Sequence, residues 1–69
     1  MFKPEKIKEL RLKMMLSQVE FAKILNVASE TVNRYENGKS QPTFKVQRKL
    51  AELMKQYEIE VQQWAILNT

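Results

Sequence analysis

The chain of 69 residues contains no cysteine and no histidine. Disulfide bonds, thiolate chemistry and metal sites built from imidazole or thiolate ligands are therefore excluded. The carboxylates are not clustered as an oxygen-only metal site would require. Catalysis would depend on paired carboxylates or on an activated serine or lysine in a pocket, for which so short a chain has little room. We therefore predict no enzyme, no catalytic residue, no metal and no cofactor.

Glycine and proline are scarce as well, with one and two residues respectively. Long flexible linkers are thereby excluded, and no hairpin dipeptide lies between segments of alternating apolar and polar residues. No apolar run approaches the ~20 residues that a membrane-spanning helix needs, and no signal peptide is recognisable. We expect residues 1–69 to form a single all-α domain in the cytoplasm, without a membrane partner.

Positive charge is unevenly distributed along the chain. Residues 1–50 carry 11 Lys and Arg against 5 Glu, whereas residues 51–69 carry 1 Lys against 3 Glu. Such a balance is as typical of a solvated lysine-rich surface as of a face that binds a polyanion. Charge alone does not decide between the two.

Two short helices joined by a tight turn are predicted between Ser17 and Glu36. Ser17 followed by Glu20 is a capping box, which marks the start of the first of these helices. Asn26 follows as a residue that tolerates the left-handed conformation in which helices often end. The apolar residues of this helix recur at the spacing of one buried face: Phe21, Ala22, Ile24 and Leu25.

The second of these helices, residues 29–36, also has two faces. Ser29 is expected to cap it, while Val32 and Tyr35 face inward, so we assign Tyr35 to the core and not to a base-stacking surface. The polar side chains that remain on the outer face can hydrogen-bond to the edges of bases. They are Ser29, Glu30, Asn33 and Arg34.

The pattern S-Q-x-x-F-A-x-x-L-x-V-x-x-x-T-V-x-R-Y-E-N-G-K resembles the helix-turn-helix of the lambdoid phage repressor and Cro family, the XRE type of bacterial regulator. The resemblance runs from about Ile7 to Leu53, and it departs from the family at Asn26 and before Leu16, two positions where glycine is common. It implies a compact four- to five-helix fold of the lambda-repressor-like type, with helices 2 and 3 as the helix-turn-helix. The function it implies is that of a transcriptional regulator, specifically a repressor, whose partner is double-stranded DNA.

The resemblance also implies how DNA is contacted. Helix 29–36 would enter the major groove. On such a face a carboxylate is repelled by phosphates, so its own chemistry predicts that Glu30 accepts from a cytosine amino group, and Arg34 is the candidate for a bidentate contact with guanine. Glu30 could instead only stabilise the helix dipole, Arg34 could hold a phosphate, and Asn33 could bind either adenine or the DNA backbone. Arg11 is expected to pair with Glu36, against the alternative of a surface arginine without a fixed partner. The side chains expected to bind phosphates are Gln18, Thr31, Asn37, Lys39, Arg11 and Lys45.

Two further helices are predicted to flank this pair. The first runs from about Pro4 to Met15, and Leu12 and Met15 are expected to widen its buried stripe, which consists of Ile7, Leu10 and Met14. The other begins after the N-cap Thr43, and we expect Phe44 to fold back on the core. Its buried stripe consists of Val46, Leu50, Leu53, Met54 and Tyr57.

Residues 57–69 can be interpreted in two ways. Val61 and Trp64 continue the stripe of helix 4 and would extend that helix, whereas Ile59 and Ile66 lie off the stripe and favour a separate helix 5, which we predict. Trp64 and Ile66 either close the core or form the contact of a homodimer, and we favour the homodimer. The same tail also fits an antitoxin, which would bind a toxin through it and repress its own promoter.

Overall fold

Four helices make up the computed structural model, which describes residues 2–57. They are α1 (Pro4–Lys13), α2 (Gln18–Leu25), α3 (Ser29–Glu36) and α4 (Phe44–Gln56). The described chain contains no strand, and the all-α prediction is confirmed. No helix in this range is both long and apolar enough to cross a membrane. The predictions of helix 5 and of the contact through Trp64 and Ile66 fall on residues 58–69, outside the described residues.

One apolar stripe on each helix points into a common core. Leu10, Phe21, Val32 and Leu50 have none of their surface exposed, and α2 and α3 make the most extensive helix contact. Burying a side chain of this size stabilises the fold by about 1.5–3 kcal/mol. Tyr35 belongs to this core as predicted, and burial raises the pKa of its phenol. The buried apolar residues are Ile7, Leu10, Phe21, Ala22, Leu25, Val32, Tyr35, Val46, Leu50, Ala51, Leu53 and Met54.

The N-terminus of α2 is fixed by the predicted capping box. The hydroxyl of Ser17 accepts from the backbone N–H of Glu20 at 3.1 Å, and the carboxylate of Glu20 accepts from the backbone N–H of Ser17 at 2.8 Å. This second bond is the main reason why the pKa of Glu20 is lowered, since it stabilises the charged form. Thr43 caps α4 as predicted, because its hydroxyl accepts from the N–H of Val46.

The first three helices all end in the same left-handed turn. Met15, Asn26 and Gly38 follow α1, α2 and α3 with φ of 58°, 58° and 71°. In each turn the next N–H bonds back to the carbonyl five residues earlier, at 3.2, 3.0 and 2.9 Å, which is the Schellman arrangement. Asn26 and Gly38 are residues that this conformation favours, whereas methionine is not.

The predicted end of helix 1 is therefore wrong. α1 ends at Lys13, and Met15 has 89% of its surface exposed, so that it does not widen the buried stripe. The physical reason is Leu16, which packs against the core, so the chain has to reverse its direction just before that residue. Met15 occupies the position before the leucine where glycine is common in the family.

Three other apolar side chains that were expected in the core are exposed. Leu12, which is 56% exposed, follows Leu10 by two positions, and Phe44, which is 80% exposed, precedes Val46 by two. Two positions correspond to about 200° around a helix, so Leu12 and Phe44 point away from the core. Ile24 lies at the edge of the α2 stripe and is 40% exposed.

The start of α3 also differs from the prediction. Ala28 is the N-cap residue, and Ser29 is the first residue of the helix and makes no capping hydrogen bond. The turn after α2 closes with the bond from Val27 to the carbonyl of Ala22, which leaves one extended residue before α3. So short a connection places Ser29 inside the helix.

Candidate functional site

The α3 helix is amphipathic, with its apolar side chains fixed in the core. Val32 and Tyr35 are buried on that side, at 0% and 4% exposure. On the other side Glu30, Asn33 and Arg34 are exposed. The remaining members of the predicted site on this helix, Ser29 and Thr31, are half-buried.

A half-buried ion pair holds the C-terminal end of α3 against α1. Arg11 donates through Nε to Glu36 Oε2 at 2.7 Å and through Nη2 to Glu36 Oε1 at 3.1 Å, and the two side chains are only 12% and 4% exposed. The hydrogen bond to Glu36 raises the pKa of Arg11, and burial opposes this in part. Arg11 also donates through Nη1 to the carbonyl of Leu16 at 3.0 Å. Three of its five N–H groups are thus engaged inside the protein, which leaves two for any phosphate.

A chain of amide side chains extends from this ion pair to the exposed face of α3. Gln18 donates to Glu36 Oε1 at 3.1 Å, and the carbonyl oxygen of Gln18 accepts from Asn33 at 3.5 Å. The side-chain oxygen of Asn33 in turn accepts from Asn37 at 3.2 Å. Both ends of the Asn33 amide are therefore engaged within the protein. The NH2 group keeps a second N–H and the oxygen keeps a second lone pair, so both ends of Asn33 could still bind a base edge or a phosphate group.

The loop after α3 lies alongside the last turn of that helix. The left-handed turn at Gly38 brings the N–H of Lys39 to 2.9 Å from the carbonyl of Arg34. The guanidinium of Arg34 donates through Nε to the hydroxyl of Ser40 at 3.1 Å. Ser40 was not identified from the sequence, because no local pattern indicates that the turn at Gly38 brings the Ser40 hydroxyl next to the Arg34 side chain.

The predicted phosphate-binding residues do not all lie together. Asn37 and Lys39 are exposed in the loop that follows α3, next to Arg34 and Ser40. Lys45 instead lines a groove of about 470 Å³ between α4 and the C-terminal end of α2. In this groove its neighbours include Ile24 and Asn26.

The chemistry of the α3 face is that of recognition by hydrogen bonds and charge. The face carries the donors of Arg34, the amide of Asn33 and the carboxylate of Glu30, and the loop after α3 adds the amide of Asn37 and the ammonium of Lys39. Among residues 2–57, no group of three acidic, cysteine or histidine side chains is placed to hold a metal ion.

Comparison with models of known protein families gives a match. A family model described as Helix-turn-helix matches residues 7–61, which is well over half of the chain. The matched range includes α2, the turn at Asn26 and the whole of α3. Comparisons with curated proteins and with solved structures find no significant match.

Proposed function

Because the chain belongs to the helix-turn-helix family of the Cro and lambdoid repressor type, whose members are DNA-binding regulators, we propose that it binds a specific duplex sequence and represses transcription by occupying an operator. The fold is that of the lambda-repressor-like type, with α2 and α3 as the helix-turn-helix. The proposal places the protein in the cytoplasm, with the DNA that it would bind.

The observation that carries the proposal is the exposed polar face of α3 on a firmly held helix. The major groove of B-DNA admits one α-helix. Val32 and Tyr35 fix one side of α3 in the core, and the Arg11–Glu36 pair anchors its end, so Glu30 and Arg34 are presented on a helix that cannot easily turn. A carboxylate is repelled by phosphates, and a cytosine amino group is the base-edge donor that would favour Glu30 at this place. Arg34 would contact guanine.

The remaining predicted contacts would supply affinity without sequence preference. Gln18 at the start of α2, Thr31, and the loop residues Asn37 and Lys39 would hold phosphates on either side of the groove. Lys45 and Arg11 are weaker candidates for this role, since one lies in the α2–α4 groove and the other is largely buried. Ser29 would bond to several bases and contribute little discrimination.

Selection of bound sites from random duplexes, followed by binding measurements over a range of salt concentrations, tests this function. We expect one enriched motif and a slope of log affinity against log salt of about −1 to −3 per monomer, because each phosphate neutralised by Lys39, Lys45 or Arg11 contributes about −0.9. If no motif is enriched, or if binding to the enriched duplex does not change with salt, the proposal is wrong.

We also propose that the protein acts as a homodimer through Trp64 and Ile66. The support comes from the sequence: residues 58–69 carry two Glu and no Lys or Arg, together with several apolar side chains. One domain of this size covers one half-site, and two copies gain specificity. Sedimentation of the Trp64→Ala variant should show monomers, and the selected motif should be palindromic. If the Trp64→Ala variant remains a dimer, the proposed contact is wrong. Residues 57–69 would then be available for another partner, such as a toxin.

A further inference from the structure

The hydrogen bond from Arg34 to Ser40 joins the exposed face of α3 to the loop that follows it. We infer that Ser40 is a positioning residue for base recognition: it holds the Arg34 guanidinium so that the two terminal amino groups meet the guanine edge. This inference rests on the proposed function and assigns a role to a residue outside the set that the sequence predicts. Nε of Arg34 lies 3.1 Å from the Ser40 hydroxyl.

The distribution of donors on the guanidinium supports this role. Arginine has five N–H groups, and the bond to Ser40 uses the single one on Nε. The four N–H groups on Nη1 and Nη2 stay available for an end-on, bidentate contact with O6 and N7 of guanine. A side-on contact, which would use Nε, is closed while the bond to Ser40 is in place. Ser40 thus selects one of the two ways in which an arginine can bind a base.

The position of Ser40 is itself fixed. The N–H of Lys39 bonds to the carbonyl of Arg34 at 2.9 Å, and the N–H of Gly38 bonds to the carbonyl of Tyr35 at 3.2 Å. The backbone just before Ser40 is therefore attached to the same helical turn that carries Arg34. Ser40 is also half-buried, which restricts its movement.

Restraint matters for Arg34 because its side chain is exposed. A free arginine loses rotamer entropy when it is fixed in one conformation. In the described chain the Arg34 side chain has one hydrogen-bond partner, and that partner is Ser40. Part of the ordering is therefore complete before DNA is bound, and the guanidinium is aimed at one base position.

The test uses the full chain and the wild-type motif, with each base pair varied in turn. Ser40→Ala removes the acceptor, whereas Ser40→Thr keeps a hydroxyl at the same place. We expect Ser40→Ala to lower the preference for guanine at one position by about three- to tenfold, the range for the loss of one hydrogen bond. Ser40→Thr should retain most of that preference. In an Arg34→Lys background, Ser40→Ala should cause no further loss at this position.

The free protein provides a second measurement, which does not depend on DNA. The Nε–H signal of Arg34 should exchange with water more slowly than that of Arg48, an exposed arginine for which the described chain shows no hydrogen bond. Ser40→Ala should remove the difference. Thermal unfolding would show that the variant is folded. If it is not, Ser40→Cys takes its place, because it keeps nearly the same side-chain size and replaces the hydroxyl with a weak acceptor.

Three outcomes would overturn the inference. The preference at every position could be unchanged in Ser40→Ala, or affinity could fall equally for all sequences, which would make Ser40 a phosphate contact only. The Arg34 signal could also exchange as fast as that of Arg48. A failure of the proposed function looks different, since the wild-type protein itself would then enrich no motif.

Discussion

A substitution at Met15, where the backbone is left-handed, tests directly how α1 ends. Met15 has φ of 58° and lies in the turn where the N–H of Leu16 bonds to the carbonyl of Arg11 at 3.2 Å. With 89% of its surface exposed, the methionine side chain gains little from burial there. Replacing it with glycine should therefore relieve the backbone without a loss of packing.

The size of the effect follows from two opposing terms. A residue with a Cβ atom costs about 1–2 kcal/mol in the left-handed region, and glycine avoids this cost. Glycine also makes the unfolded chain more flexible, which opposes the gain by about 0.4–1 kcal/mol. We expect Met15→Gly to raise the free energy of unfolding by about 0.5–1 kcal/mol, or the melting temperature by about 3–6 °C for a domain of this length.

Met15→Ala is the matched control, because it shortens the side chain and keeps the Cβ atom. Its stability should stay within about 0.5 kcal/mol of the wild type, the usual range for an exposed site. Thermal unfolding followed by circular dichroism measures all three proteins under the same conditions. If Met15→Gly is no more stable than Met15→Ala, the left-handed turn does not carry the cost that we assign to it.

Three further changes test other parts of the structure. Glu36→Ala removes the acceptor of Arg11 and Gln18 in a half-buried site, although Arg11 keeps its bond to the carbonyl of Leu16. It should lower the free energy of unfolding in urea by about 2–4 kcal/mol, less than for a fully buried pair. A loss below about 1 kcal/mol would mean that the pair behaves as an exposed one. Arg34→Ala should lower the binding free energy that discriminates one base position by about 1–3 kcal/mol. Lys39→Ala should weaken binding to all duplexes alike and reduce the size of the salt slope by about 1. Equal losses for all sequences in both variants would show that Arg34 binds only phosphate. The pKa of Glu20 is lowered in the folded protein, so the free energy of unfolding of the wild type should exceed that of Glu20→Gln at pH 7. This difference should shrink as the pH falls below the usual pKa of 4.5. A difference that stays constant in urea titrations down to about pH 3 would contradict the capping hydrogen bond.

The parts of the fold that could be predicted depend on partners that are close in the sequence. Ser17 and Glu20 are three positions apart, so the capping box and the start of α2 could be derived from the chain alone. Asn26 and Gly38 are likewise residues whose own backbone preferences mark a turn. Met15 has no such preference, and its left-handed turn arises because Leu16 has to reach the core.

The parts that could not be derived depend on contacts across the fold. Arg11 and Glu36 are 25 positions apart, and only the resemblance to a known family suggested that they pair. Phe44 is a different case: it was expected to fold back on the core, although its spacing of two positions from Val46 already indicates that it points into solvent. Ser40 could not be identified, because its partner Arg34 is reached only after the chain reverses at Gly38.

Glu36 ends α3, and its contacts with other helices fix the orientation of α3. A carboxylate at the C-terminus of a helix is unfavourable for the helix by itself, because that end carries the negative pole of the dipole. Here Oε1 of Glu36 accepts from both Arg11 and Gln18 at 3.1 Å, so one side chain joins α3 to α1 and to the start of α2. The cost to α3 is offset by contacts that fix its orientation. An exposed face held in this way is already ordered before DNA binds. No binding free energy is then lost in ordering the helix, so its contacts contribute to affinity and to sequence preference.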